Sequence, residues 1–305
     1  MKLAILMSTY NGEQYLEEQI KSILDQKLDI PFDLIVRDDG SSDGTLQILN
    51  CYAEAGKLQY YSGANVGAAR GFMYLLKENP GYDYYAFADQ DDIWDEDKVQ
   101  KGLNAVKDHF GLVLYCSNAA LIHSNMDPIG RNVHRERPTY NLVSSLCLAS
   151  SAQGCTSVFN RKLAELIQNR PLPEIFIMHD SLLTCLCVLA GGEIIYDHCP
   201  TMKYRMHGSN VFGMVTARQG LMRVIKNRFA EIAQKKEISM YDQAKGLLAV
   251  YGDLICEENR KLCRIVIGAE HSWIDRMKLV LNGSLQHDTL NMTITKKLQI
   301  LLGNG

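Results

Sequence analysis

The chain has 305 residues, of which 47% are hydrophobic and 22% charged, and its formal net charge is −3. This composition is ordinary for a folded globular protein and excludes a disordered, collagen-like or coiled-coil chain. No segment holds the ~18 uninterrupted apolar residues of a membrane span, and the N-terminal residues predict a strand rather than a signal peptide, so we expect neither an integral membrane nor a secreted protein.

The first ninety residues alternate between strand and helix patterns. Strands are predicted at 3–8, 33–38, 58–61 and 82–88, and helices at 13–26, from about 45 onward and at 67–77. Ser42 or Asp43 is expected to cap the second of these helices. Repeated strand–helix units predict an α/β fold with a mostly parallel sheet between helices.

Later elements follow a looser pattern. A helix is predicted at 96–106, strands at 112–116 and 194–197, and an apolar helix that ends at Gly191 and Gly192. From Val215 onward helical patterns dominate, and the chain shows no internal repeat.

Each of the first four strand units delivers a polar cluster at or beyond its carboxyl end. The clusters are 9–11, 38–39, 65–70 and 89–92. Ligands of open α/β sheets bind beyond the carboxyl ends of the strands, so we expect these clusters to form one site.

The acidic cluster contains Asp89, Asp91 and Asp92 within four residues. Such carboxylates repel one another unless a cation lies among them, and carboxylates together with substrate phosphates are the usual ligands of Mg²⁺ or Mn²⁺. The alternative is a solvated acidic turn that caps the following helix. The apolar strand that leads into the cluster, and Trp94 after it, favour the metal site.

Four motifs taken together resemble the family 2 inverting glycosyltransferases. They are Ser8-Thr9-Tyr10-Asn11, Asp38-Asp39-Gly40-Ser41-Ser42-Asp43-Gly44-Thr45, Asn65-x-Gly67-x-x-Arg70-Gly71 and Asp89-Gln90-Asp91-Asp92. The resemblance covers residues 1–213. The residues Ile93-Trp94, His179-Asp180 and 204–208 are most similar to the rhamnosyltransferase-type subgroup that builds bacterial surface polysaccharides.

The resemblance implies a GT-A fold and a nucleoside diphosphate sugar donor. Thr9, Tyr10 and Asn11 are expected to hold the base, and Asp39 is similar to the family's aspartate that accepts a hydrogen bond from the base N3. The remaining residues expected to bind the donor are Asn65 and Arg70, beside a glycine turn at a helix start, and Asp89, which by resemblance faces the ribose. Arg70 has the alternative of being merely an exposed arginine.

The resemblance also assigns the metal ligands and the acceptor side. Asp91 is expected to hold a divalent cation, and His207 is expected to be a metal or diphosphate ligand. An imidazole beside carboxylates fits Mn²⁺ somewhat better than Mg²⁺. The acceptor-side residues are Asp92, Trp94, Gln153, Gly154 and His179. For Asp92 two roles stay open, orienting the acceptor or bracing the loop.

Asp180 is the candidate general base. It is predicted at a helix N-terminus, where the helix dipole stabilises the anionic carboxylate that a base requires. Simple N-capping is the alternative that the sequence alone favours.

The C-terminal region differs in charge from the rest of the chain. Residues 1–213, the predicted catalytic domain, carry 18 basic and 26 acidic residues, whereas residues 214–305 carry 14 and 9. Basic residues at 218–228 interleave with apolar ones, which is typical of a helix on an anionic membrane. Packing on the catalytic domain or on another subunit, which would make a homo-oligomer, is the alternative. The acidic first domain disfavours nucleic acid.

The nine cysteines are scattered, without a Cys-x-x-Cys pair. They predict small, buried, reduced thiols of a cytosolic protein rather than disulfides or metal ligands.

Together these features predict a cytoplasmic glycosyltransferase, peripheral at the inner face of the cell membrane, with a lipid-linked glycan acceptor. The first donor is dTDP-rhamnose, and a UDP-hexose or UDP-N-acetylhexosamine is the alternative. A catalytically dead nucleotide-sugar-binding scaffold is disfavoured, because Asp39, the Asp89–Asp91 pair, Asp180 and His207 are all present. A dehydrogenase is disfavoured further, because the first strand leads into Thr9-Tyr10-Asn11-Gly12 and not into a Gly-x-Gly-x-x-Gly turn.

Overall fold

The computed structural model describes residues 1–135, 137–147, 152–207, 239–287 and 289–303. Its strands are β1 Leu3–Thr9, β2 Phe32–Asp38, β3 Gln59–Ser62, β4 Tyr84–Ala88, β5 Ile93–Trp94, β6 Val113–His123, β7 Pro128–Asn132, β8 Val158–Asn160 and β9 Glu193–Met206. Its helices are α1 Leu16–Leu24, α2 Thr45–Glu54, α3 Ala68–Glu78, α4 Lys98–Val106, α5 Leu142–Leu146, α6 Arg161–Gln168, α7 His179–Leu189, α8 Met240–Tyr251, α9 Glu257–Gly268, α10 Trp273–Leu281 and α11 Leu290–Leu302. A 3₁₀ turn at Gly154–Thr156 precedes β8.

The strands of these residues form one sheet in the order β3-β2-β1-β4-β8-β6-β9-β5, and β7 pairs with β6. The first four strands in this order are parallel. Strand β8 is antiparallel to both of its neighbours, whereas β6 and β9 are parallel to each other. The predicted strand–helix units and the mostly parallel sheet are confirmed.

The sheet is buried on both faces, as the continuous apolar sequence of β1 requires for a central parallel strand. Ala4 and Leu6 belong to a core with α3, α6 and α7. Leu3, Ile5 and Met7 belong to a second core with α1, α2 and α4. Successive residues of a strand point to opposite faces, and this alternation divides the core into two layers.

Strands β6 and β9 are much longer than predicted. They run in parallel from the pair Val113 and Glu193 to the pair His123 and Met206, with register shifts near Asn118. Polar residues in the second half of each strand interrupt the apolar pattern, which explains why the prediction stopped early. The extension matters because the end of β9 leads directly to His207.

The loops after β1 and β2 are tied together. Asn11 adopts a φ of 47°, which asparagine tolerates better than most residues, and its side-chain oxygen accepts a hydrogen bond from Ser42 N at 2.9 Å. The N-cap of α2 is Gly44 rather than Ser42 or Asp43, although Asp43 Oδ1 accepts from Thr45 N at 3.0 Å. The two loops therefore form a common rim.

The helices after residue 239 join the first core. Met240, Ala244 and Leu247 of α8 are fully buried in the cluster that contains α7, and Ile300 of α11 belongs to the same cluster. The basic amphipathic stretch at 218–229 lies outside the described residues. No helix in the described ranges is both long and apolar enough to cross a bilayer.

All nine cysteines are described and free, as predicted. Six are buried, but Cys51, Cys199 and Cys256 are exposed, contrary to the expectation that all would be core residues.

Candidate active site

A cleft of about 920 Å³ opens at the carboxyl ends of β1, β2 and β4. The predicted site residues that line it are Thr9, Tyr10, Asn11, Asn65, Asp39, Asp89, Asp91, Gln153, Gly154, His179, Asp180 and His207. The expectation that the polar strand ends would meet at one edge is confirmed.

Three predicted residues do not line the cleft. Arg70 Nη2 donates to the carbonyl of Glu174 at 2.6 Å, and its guanidinium lies 5.5 Å from the ring of Phe176. These contacts hold it against the segment before α7. Asp92 and Trp94 are 0% and 3% exposed, and neither lines the cleft.

Tyr10 lines the cleft with 49% of its surface exposed. Its backbone is held by Gln90, whose Oε1 accepts from Tyr10 N at 2.9 Å and whose Nε2 donates to Tyr10 O at 3.1 Å. The phenol ring is therefore free to stack on a planar ligand while its backbone is fixed.

Asp39 links the end of β2 to the start of α3. Its Oδ2 accepts from Gly67 N at 2.8 Å, both carboxylate oxygens lie 3.0 Å from Val66 N, and the carboxylate pairs with the Arg37 guanidinium. Gly67 has a φ of 80°, a conformation that glycine adopts without strain. These contacts fix Asp39 as an oriented acceptor in the cleft wall.

Asp91 and His207 meet although 116 residues separate them. Asp91 Oδ2 lies 2.8 Å from His207 Nε2, and both side chains line the cleft. The pairing of β5 with β9, in which Ile93 faces Lys203, brings the two segments together. A carboxylate and an imidazole that face an open cleft suit a divalent cation that keeps positions for substrate oxygens.

Asp89 is one of the residues in the acidic cluster whose ionised form is unfavourable. Burial, with the neighbouring charges of Asp91 and Asp180, raises its pKa from 3.8 to about 7. A cation bound beside Asp89 would lower the free-energy cost of ionising it, because an opposite charge favours the ionised carboxylate. The cluster therefore fits a metal better than a solvated acidic turn.

The raised pKa of Asp89 predicts an effect on stability in metal-free protein with chelator. Between pH 4 and 7 the folded state keeps a proton that the unfolded chain has lost, so the free energy of unfolding falls as pH rises. Asp89→Asn cannot ionise, and we expect it to be more stable than wild type at pH 8 by about 1–3 kcal/mol, with little difference at pH 4. Denaturant unfolding at both pH values measures this, with the exposed Asp25→Asn as control. Equal pH dependence in wild type and Asp89→Asn would contradict it.

A second, mostly buried set of potential ligands overlaps the cleft lining, since Asp89 and Cys155 line the cleft whereas Asp92 does not. Single ligand atoms of Asp89, Asp92 and Cys155 lie within 4.8 Å of one another. Burial raises the pKa of Asp92 and of the Cys155 thiol, and a thiol is a softer ligand than the oxygen donors that Mg²⁺ and Mn²⁺ prefer. The buried ammonium of Lys98, 3.8 Å from the ring of Trp94, already places a cation nearby. This set therefore suits Mg²⁺ or Mn²⁺ less well than Asp91 and His207.

Asp180 lies in the first turn of α7, but it is not the N-cap. Met178 occupies that position, so the N-capping interpretation is wrong for Asp180. Its Oδ2 accepts from Gly154 N at 3.3 Å, and its Oδ1 accepts from Ser181 N at 2.6 Å. These two N–H groups fix the direction of the carboxylate oxygens.

His179 is enclosed by aromatic rings. It stacks on Phe72 at 4.0 Å between ring centroids and meets the edge of Phe87 at 5.2 Å. Burial lowers its pKa, which favours the neutral imidazole. A Cβ on Gly154 would lie 2.2 Å from His179 Nε2, so this packing requires glycine at 154.

The sequence interpretation missed several lining residues. Gln90 and Tyr204 line the cleft and belong to the motifs of the sequence analysis, so their positions in those motifs could have indicated a role in the site. Phe72, Ile177 and Met178 had no polar or spacing signal, because an apolar side chain at a cleft resembles one in the core.

Comparison with known proteins agrees with this geometry. Residues 4–167 match the family model "Glycosyl transferase family 2", which is more than half of the chain. The chain belongs to glycosyl transferase family 2. The enzyme is therefore a glycosyltransferase.

The transferase is similar to proteins that are named for a specific sugar transfer. It is 32% identical over 225 residues to the dTDP-rhamnosyl transferase RfbG of Shigella flexneri, covering 68% of this chain and 73% of that protein. It is 29% identical over 213 residues to the UDP-Glc:alpha-D-GlcNAc-diphosphoundecaprenol beta-1,3-glucosyltransferase WfgD of Escherichia coli, covering 68% and 79%.

Among solved structures, the transferase is similar to residues 1–349 of Staphylococcus aureus TarS in complex with UDP-GlcNAc. The TM-score is 0.55 at 19% identity, with 99% of this chain and 82% of the other covered. This likeness concerns the fold, and it confirms the GT-A architecture.

Proposed function

We propose that the enzyme transfers a sugar, with inversion at the anomeric carbon, from a nucleoside diphosphate donor to a glycan hydroxyl in cell-surface polysaccharide synthesis. The observation that carries this proposal is one cleft lined by an oriented acceptor, Asp39, a carboxylate–imidazole pair, Asp91 and His207, and a separate carboxylate, Asp180. An inverting displacement needs these three components and no protein nucleophile.

The donor would lie along the rim formed by the first two loops. Tyr10 presents an exposed ring for the base, Asp39 an acceptor for the base N3, and Asp89 a carboxylate for the ribose. Asn65 and the N-terminus of α3 are placed to meet polar groups of the nucleotide. We propose dTDP-rhamnose as the first donor because the relative RfbG is named for it. A UDP-hexose or UDP-N-acetylhexosamine is the second candidate, because WfgD is named for UDP-Glc.

The leaving diphosphate carries negative charge that must be stabilised. A divalent cation, Mn²⁺ or Mg²⁺, held by Asp91 and His207 would supply positive charge there. The carboxylate and imidazole donors fit such an ion, and the imidazole favours Mn²⁺.

The acceptor hydroxyl must lose a proton as its oxygen attacks the anomeric carbon. Asp180 would take this proton, since it lies in the cleft wall and two N–H groups orient its carboxylate. The buried thiol of Cys155, whose pKa is raised, is unsuited to act as a nucleophile.

A thermal-shift panel of dTDP, UDP, GDP and CMP, each with and without Mn²⁺, tests donor binding. A ligand that binds only the folded state raises its stability, by about 2.7 kcal/mol at 100 times its Kd. We expect dTDP or UDP to raise the unfolding temperature, more strongly with Mn²⁺, and CMP to have little effect. Stabilisation by none of the four would contradict the proposed donor class, and stabilisation by GDP alone would reassign it.

We also infer that the acceptor is carried on a lipid at the inner face of the cell membrane, because the relative WfgD is named for an acceptor linked to diphosphoundecaprenol. The net positive charge of residues 214–305 and the exposed apolar side chains of α10 and α11, Trp273 among them, support contact of this region with an anionic membrane. Contact with a second subunit is the competing role. Salt-sensitive binding to anionic vesicles, measured by co-sedimentation, separates the two.

A further inference from the structure

Arg205 is a buried arginine with an unusual set of partners. It is 1% exposed and lies one residue before the end of β9. Its Nε donates to the carbonyl of Asp91 at 2.9 Å, and its Nη1 donates to the carbonyl of Ser124 at 3.0 Å. Its Nη2 pairs with Glu18 at 2.5 Å, and its backbone N donates to Asp92 Oδ1 at 3.2 Å. One side chain thus joins α1, the acidic loop and the turn after β6.

The ring of Tyr15 connects Arg205 to the other half of the metal pair. The guanidinium carbon of Arg205 lies 4.5 Å from the centroid of the Tyr15 ring. The centroids of the Tyr15 and His207 rings are 5.0 Å apart. Arg205 therefore contacts the backbone of Asp91 directly and His207 through one intervening ring. It does not itself line the cleft.

The chemistry of the guanidinium explains why this position needs arginine. Its planar fork directs donors along fixed directions, and here they reach three acceptors on three different segments. The single ammonium of a lysine is a point charge and cannot reproduce this geometry. Burial of the charge is compensated by Glu18, which faces solvent on the outer side with 54% of its side chain exposed.

We propose that Arg205 is a positioning residue that sets the separation of Asp91 and His207 and thereby the affinity for the divalent cation. This inference rests on the metal site of the proposed function. Without the fork, the acidic loop and the end of β9 lose their common anchor, and the Asp91–His207 pair loses its fixed spacing. Metal ligands held loosely bind more weakly, and outer contacts of this kind are worth about 10–100-fold in affinity.

The test compares Arg205→Lys with Arg170→Met as a matched control. Arg170 makes a bidentate ion pair with Asp253 and donates to the carbonyl of Val250, but none of these residues lines the cleft. Mn²⁺ binding is measured by electron paramagnetic resonance, alone and with the nucleotide that stabilises wild type, and the unfolding temperature is measured in parallel. Glu18→Gln is a third variant. Because the Glu18 side chain is 54% exposed, we expect this variant to fold even if Arg205→Lys does not.

We expect Arg205→Lys to weaken Mn²⁺ binding by about 10–100-fold and Glu18→Gln to weaken it less. Arg170→Met should lower the unfolding temperature without changing Mn²⁺ affinity. If folded Arg205→Lys binds Mn²⁺ with wild-type affinity, the inference is overturned and the metal site stands. If Arg205→Lys does not fold, wild-type Mn²⁺ affinity in Glu18→Gln has the same meaning. Absence of Mn²⁺ binding in wild type would instead overturn the metal site, and the inference with it.

Discussion

Asp180→Asn is expected to lower the rate of sugar transfer by about 10²–10⁴-fold, the usual contribution of a general base. The substitution keeps the shape and one of the two contacts with Gly154 N and Ser181 N, because the amide has a single acceptor oxygen, but the amide cannot accept the proton of the acceptor hydroxyl. Donor affinity should stay near wild type, because the lost interaction belongs to the transition state. Steady-state transfer rates and calorimetric nucleotide affinity measure the two effects.

Asp275→Asn is the matched control for Asp180→Asn. Asp275 also lies in the first turn of a helix, α10, and accepts a hydrogen bond from a lysine, but it does not line the cleft. It reports the effect of removing a helix-terminal charge without a change in the cleft. If Asp180→Asn transfers sugar as fast as Asp275→Asn, Asp180 is not the base. Asp92, whose expected roles are orienting the acceptor or bracing the loop, is 0% exposed and does not line the cleft.

Asp91→Asn is expected to abolish the Mn²⁺-linked part of nucleotide binding, with a loss of at least about 100-fold, because a ligand contributes more than the outer contacts worth 10–100-fold. His207→Ala should weaken the same binding by about 10-fold, since carboxylate ligands remain. Calorimetric titration of nucleotide with and without Mn²⁺ separates the metal-linked part from direct contacts with the base.

Cys155→Ser distinguishes the two potential ligand sets. Cys155 belongs to the buried set with Asp89 and Asp92 and not to the Asp91–His207 pair. We expect this variant to bind Mn²⁺ with nearly wild-type affinity. A large loss in Cys155→Ser, with little change in Asp91→Asn, would move the cation to the buried set.

Local patterns were sufficient to predict much of the front of the chain. The apolar run of β1 and the helical spacing of α1 depend on neighbouring residues, so they can be recognised without knowledge of the tertiary fold. The parallel topology then places the ends of β1, β2 and β4 at one edge, which explains why Thr9, Asp39 and Asp89 were correctly expected in one cleft. The motifs themselves were sufficient to indicate the family.

Only the tertiary structure decided which distant side chains meet. The 2.8 Å contact of Asp91 with His207 depends on the pairing of β5 with the unexpectedly long β9, and a one-residue shift in that register would turn the side chains to the opposite face. The same is true of Arg205, whose contacts with Glu18 and Asp91 span 187 and 114 residues.

Arg70 also has a partner that its motif does not indicate. The carbonyl of Glu174, 104 residues away, accepts a hydrogen bond from its guanidinium and holds it against the segment before α7. The sequence determines that these charged groups exist and which strand or helix carries each one. Their partners depend on strand register and on the packing of helices from distant parts of the chain, because the energy of a charged side chain is set by all of its neighbours in space.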